Sequence, residues 1–290
     1  MLTLLFDGIA FGMLLFILSL GLAVTMGLMN FINLAHGAFA MAGGYVLVAL
    51  MQRAGWPFLA CLPAAFLIAA LAGAVLERTL YRPMYGRPHL DQVLFSIGLT
   101  FMAVAAVDYV MGSQQQNVQL PPWLNQRFEW GTGAWQLGMG AYRLFIVVTC
   151  VALALGLQAL LSHTRFGSRL RAAVDDPRVA AGLGIPVNQV FLLTFAVGSG
   201  LAGLGGALGA DLLGLDPSFP FKFMVYFLIV CAVGGTSSIT GPLVAALVLG
   251  MADVMGKYYL PKLGAFIVYA LMIAILLWRP QGLFTREGSK

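Results

Sequence analysis

The chain has 290 residues, of which 60% are apolar and only 9% charged, with a formal net charge of +5 and a mean hydropathy of +0.91. Soluble domains carry roughly 25% charged residues, so a water-soluble globular protein is excluded and a polytopic integral membrane protein is expected. The excess positive charge is no nucleic-acid signal, because the lysines and arginines cluster between apolar runs, where membrane topology accounts for them.

A helix needs about 20 apolar residues to cross a bilayer. Stretches of that kind run over 4–27, 34–52, 56–76, 91–111, 143–162, 189–213 and 263–278. Residues 222–256 are too long for one crossing and are interrupted by GGTSSITGP at 234–242, which predicts two shorter or re-entrant segments. The expected fold is all-α, a polytopic transmembrane helical bundle with eight or nine membrane segments, some short or broken. A single transmembrane domain over 1–290 is expected. The start, MLTLLFDGIAFG, has neither a basic n-region nor a small-residue cleavage site, so it is not read as a removable signal peptide.

Between the first two apolar runs lies GLMNFINLAHGAFAMAGGYV, residues 27–46, where Asn30, Asn33 and His36 sit among glycines. Lipid offers such groups no partner, so non-helical backbone there must be buried in protein or line an aqueous cavity. These three residues are candidates for a translocation path; the other reading is that they only cap and pack helix ends. Thr236, Ser237 and Ser238 in the second interruption have the same character, and paired interruptions in the two halves of a chain point to a transport path.

Arginines set the orientation. Segment 77–90 carries Arg78, Arg82 and Arg87, segment 163–188 carries Arg165, Arg169, Arg171 and Arg178, and the tail carries Arg279, Arg286 and Lys290. These are expected on the cytoplasmic side. The loop 112–142 holds only Arg127, with Trp123, Trp130 and Trp135, and is expected outside, either as a surface loop anchored by aromatics or as a docking surface. Counting back through three crossings puts the N-terminus outside.

Segment 163–188 is both charged and patterned as a short helix. Asp176 suits an N-cap, Pro177 the first helical position, and Gly184 the end, with Ala180, Ala181 and Leu183 as a small apolar surface. A helix of about eight residues does not persist alone in water, so it must rest on its own protein, on lipid or on a cytoplasmic subunit.

No GxxxxGK[ST] motif is present, His36, His89 and His163 are far apart, and Cys61, Cys150 and Cys231 lie separately in apolar runs. No catalytic, cofactor-binding or metal-binding residue is assigned. Asp7, Asp108, Asp211 and Asp253 lie near span ends and are expected to be solvated. A self-sufficient secondary transporter or channel for small polar solutes would want a charged cluster at mid-membrane, and the sequence has none. A membrane enzyme would have only His89, Asp91, His163 and Asp175 to work with.

Taken together, five stretches in order resemble the permease subunits of branched-chain amino acid ABC importers, of the Liv type and its shorter H-type member. They are the early GLMNFINLAHGAFAMAGGY, ERTLYRPMYGRPHLDQVLFSIGLT at 77–100, RFGSRLRAAVDDPRVAAGLGI at 165–185, VGGTSSITGPLVAALVLG at 233–250 and WRPQGLF at 278–284. The resemblance implies a bacterial inner-membrane subunit with no ATPase site of its own. Its partners would be a second permease, homologous or identical, two cytoplasmic ATP-binding subunits and an external solute-binding protein. The match at 165–185 implies contact with the ATPases through Arg171, Asp175, Asp176, Ala180, Ala181 and Gly184. Branched-chain or related amino acids as substrate come from the resemblance alone.

Overall fold

A computed structural model describes residues 1–29, 31–130, 137–235, 239–279 and 282. Its helices are α1 (Leu2–Met29), α2 (His36–Ala54), α3 (Phe58–Leu76), α4 (His89–Met111), α5 (Ala141–His163), α6 (Arg165–Asp175), α7 (Pro177–Gly182), α8 (Val187–Leu213), α9 (Phe219–Gly234), α10 (Thr240–Tyr259) and α11 (Gly264–Trp278). Among the described residues, six helices are long and apolar enough to cross a membrane: α1, α3 with its extension to Met84, α4, α5, α8 and α10. Two shorter apolar helices, α9 and Phe266–Trp278, accompany them. At 1.5 Å rise, the 16 residues of α9 span about 24 Å, less than a hydrocarbon core of about 30 Å. The fold is therefore an all-α polytopic membrane protein. The run 222–256 divides between α9 and α10, as its glycines predict.

The chain forms two compact units, one of residues 1–19, 119–154 and 226–290, the other of 20–118 and 155–225. In the second, α8 is the central helix, packed against α2 and α3. Its glycines make this close approach possible. A Cβ on Gly206 would overlap the Ala40 carbonyl, and one on Gly43 would overlap the backbone of Gly203. Small residues allow such contact where no hydrophobic effect drives helices together. On the periphery, α4 turns Leu94, Phe101, Met102 and Val110 outward, while Gln92, Ser96 and Thr100 are buried. That distribution, apolar out and polar in, marks a helix with one face to lipid.

In the first unit, α1 and α10 touch at Gly12 and Gly250, whose backbones leave no room for a side chain. The loop 112–142 contains a short antiparallel hairpin, β1 (Arg127–Trp130) with β2 (Leu137–Gly140), pairing Arg127 with Gly140. The Gly138 amide donates to Thr3 Oγ1 at 3.0 Å, and Tyr259 Oη lies 2.7 Å from Met1 Sδ. The N-terminus, the hairpin and the α10–α11 turn thus share one end of this unit.

Several expectations need correction. The crossing expected at 56–76 does not end there: Glu77–Tyr81 continues α3 as a π turn and Arg82–Met84 as a 3-10 turn, with Glu77 and Tyr81 facing inward and buried. Asp253 is not solvated. It is 2% exposed, accepting from Tyr226 Oη at 3.0 Å and from Lys257 Nζ at 2.6 Å. Asp7 forms an ion pair with Arg143. The predicted crossing at 34–52 does form α2, which its glycines, His36 and its polar end keep out of the set of long apolar helices.

Candidate functional site

The first interruption is a buried stretch of non-helical backbone at 31–35, between α1 and α2. Its peptide groups need partners that lipid cannot supply, and neighbouring side chains provide them. The Ile32 amide donates to Gln92 Oε1 at 3.2 Å and the Leu34 amide to Ser96 Oγ at 3.1 Å. The Ala35 amide donates to Asn33 Oδ1 at 3.1 Å, which ties down the start of α2. Gln92 and Ser96 lie one turn apart on α4, so a single polar stripe serves the break. Gln92 Nε2 also donates to the Arg87 carbonyl at 3.1 Å, joining the break to the turn ahead of α4.

The α3 extension closes the other side. Tyr81 is fully buried and donates through its hydroxyl to Asn33 Oδ1 at 3.1 Å. Its ring packs against Phe31, Phe95 and Phe195, with centroids 5.5, 5.2 and 4.6 Å away. One turn on, Tyr85 donates to Glu77 Oε1 at 2.9 Å, and its ring meets Phe31 at 5.6 Å and Phe191 at 6.1 Å.

Among the path candidates, Asn33 and His36 are therefore brought together at this break, both buried, at 1% and 2% exposure. The His36 ring packs where Gly21 leaves space for it. Asn30, Thr236, Ser237 and Ser238 lie outside the described residues. Sequence reasoning missed Glu77, Tyr81, Tyr85, Gln92 and Ser96. The signal for the last two was available: Gln92, Ser96 and Thr100 recur every fourth residue in an apolar helix.

The charged segment folds as a helix pair. In α6, the N-cap Thr164 accepts from the Gly167 amide at 3.3 Å, and Leu170 and Ala173 pack against Val190 of α8. In α7, Asp176 Oδ1 caps the Arg178 and Val179 amides at 2.8 and 3.0 Å, Pro177 occupies the first turn, and Gly184 takes φ +82° after the end. The helix has six residues rather than eight, and the longer α6 before it was not foreseen. Ala180 is 2% exposed and faces the protein's own interior, so it is not part of the offered surface. That surface instead consists of Val179, 59% exposed, and Leu183, 76% exposed, with Ala181 between them. Arg171, Asp175 and Asp176 are exposed beside it, and Arg171 Nη1 reaches the Leu161 carbonyl.

At the other end of α8, Leu215 bridges to Gln116, placing residues 214–218 beside the start of the loop after α4. Burial alone would raise the Asp216 carboxyl, but hydrogen bonds from Lys222 and Ser218 and the Lys222 charge hold it below the ordinary carboxylate value. Among the described residues, no group of three or more His, Cys, Asp or Glu side chains could hold a metal ion.

A family model described as the permease component of the branched-chain amino acid transport system matches residues 4–276. The chain is 29% identical to the high-affinity branched-chain amino acid transport system permease protein LivH of Escherichia coli, covering 97% of this chain and 94% of that protein. It is 28% identical to BraD, the permease protein of the same description in Pseudomonas aeruginosa, with the same coverage. Against LivM of Escherichia coli, identity is 27% over 93% of this chain, but only 68% of LivM is spanned. No solved structure matches. The match over residues 4–276 has one conclusion: the chain belongs to the family of branched-chain amino acid transport system permease components.

Proposed function

We propose that this chain is a transmembrane permease subunit of an ATP-driven importer in the bacterial inner membrane, forming with a second permease the path for branched-chain or related amino acids. The observation that carries the reading is similarity to LivH over nearly the full length of both chains. The sequence has no P-loop, so energy would come from two cytoplasmic ATP-binding subunits and solute from an external binding protein. In this reading the whole chain acts as one permease domain of eight or nine membrane segments, with α2, α9 and α11 joining the long helices. Residues 163–188 lie in the cytoplasm and 112–142 outside.

Arg171, Asp175, Asp176, Ala181 and Gly184, together with Val179 and Leu183, make or shape the contact with the ATPases, and Ala180 anchors α7 from within. Support comes from α7 being too short to persist unaided, yet capped at both ends and presenting exposed apolar side chains. Asn30, Asn33, His36, Thr236, Ser237 and Ser238 mark the two interruptions beside the path.

A C-terminally tagged chain, gently solubilised from its native membrane, is expected to bring down two P-loop ATPases and a second permease. Recovery of the chain alone, still transporting leucine after reconstitution, would replace this reading with a self-sufficient carrier. Ala181→Asp is expected to leave the chain in the membrane at normal abundance and to abolish ATPase recovery.

A further inference from the structure

The α3 extension lies between the two features just described, and its irregular geometry is the starting point. A π turn followed directly by a 3-10 turn places one widened and one tightened step in the same helix. Such steps concentrate at functional sites because the local register can shift without unfolding the helix. Here every residue facing inward is engaged. Tyr81 reaches Asn33 and so the α1–α2 break, while Tyr85 reaches Glu77 within the turn and Phe191 on α8. Phe191 in turn packs on the small apolar cluster of Leu170, Ala173 and Val190 that seats α6. A continuous series of packed and hydrogen-bonded side chains therefore runs from α6 through Phe191, Tyr85, Phe31 and Tyr81 to Asn33, with Glu77 holding the Tyr85 hydroxyl. All of it lies within one compact unit.

We propose that the Glu77–Tyr85 turn passes displacement of the α6–α7 pair to the backbone break at 31–35, with Tyr85 and Tyr81 as the positioning residues at its two ends. This rests on the reading of α6–α7 as the ATPase contact. A rigid, fully apolar connection would also transmit motion. The two hydroxyls add discrete partners, so the proposed displacement would switch the turn between a bonded and an unbonded arrangement, the two-state behaviour a coupling element requires.

The test uses the complex purified from its membrane and an Ile32→Cys reporter in the break, labelled by a maleimide with and without ATP. The native Cys61, Cys150 and Cys231 are buried, so this chain's own background is low, and its band is read separately from those of its partners. ATP is expected to change the labelling rate. Tyr85→Phe should reduce that change about tenfold, the scale of a lost hydrogen bond to a charged group, while ATPase recovery and ATP hydrolysis persist. Tyr81→Phe should do the same, and the double variant should be no worse than either single one, because both act in one series.

An ATP response unchanged in both tyrosine variants, or effects that simply add, would overturn the proposal. So would a reporter indifferent to ATP in the unmodified complex, although the importer reading would survive that result. Failure of the unmodified chain to recover any ATPase would remove both. If Tyr85→Phe does not accumulate, Phe191→Leu shortens the same contact without orphaning a buried polar atom and is read the same way.

Discussion

Asn33 shows how much one buried oxygen can do. Its Oδ1 accepts from both Ala35 and Tyr81, so Asn33→Leu orphans two buried donors at about 1–3 kcal/mol each. The thermal midpoint of the detergent-solubilised protein should drop sharply, whereas Asn33→Asp, which keeps an acceptor there, should retain most of the stability. At the surface, Asp176→Ala removes the α7 cap and is expected to cost about 1 kcal/mol of local helix stability, seen as faster amide exchange at Arg178 and Val179. Asp216 gives a pH signature. Its folded value lies below the unfolded one, so its stabilisation is complete above the ordinary carboxylate value of about 3.9 and fades as pH falls through the folded value. The difference in thermal midpoint between wild type and Asp216→Asn should hold from neutral pH down and close only in strong acid.

At the level of elements, Gly206 is the sharpest test of the α2–α8 contact. Its missing side chain faces the Ala40 backbone rather than a flexible side chain, so Gly206→Leu exceeds the usual 1–3 kcal/mol of core overpacking and should remove the folded protein from the membrane fraction. What the sequence revealed at this scale depended on whether the signal was local. The caps of α7 were legible because Asp176, Pro177 and Gly184 act within a few residues, and the division of 222–256 because its glycines stand in an apolar run. The extension of α3 was not, since Glu-Arg-Thr-Leu-Tyr reads as a charged loop until Tyr81 meets Asn33 in the distant break and Glu77 meets Tyr85 at the end of the same turn. Ala180 was misplaced for a related reason: composition identifies an apolar helix, and only packing decides which side it turns inward. The partners of the break lie 60 and 62 residues away, beyond any local pattern.

For the whole molecule, the testable quantity is sidedness. Single cysteines at Gln114 and Ser289 are expected to label from opposite faces of sealed membranes, Gln114 from outside and Ser289 from the cytoplasm; the reverse pattern would invert the topology. The distance along the chain between the break and its partners also has a temporal meaning. Ile32 leaves the ribosome 60 residues before Gln92, and at roughly 5–20 residues per second that is a wait of several seconds. During this interval the peptide groups of residues 32 and 34 are already made and still lack α4. Chains stalled in that window carry an unsealed seam in the bilayer, so slow codons placed just before residue 92 should raise degradation of the nascent protein more than the same codons placed after residue 111.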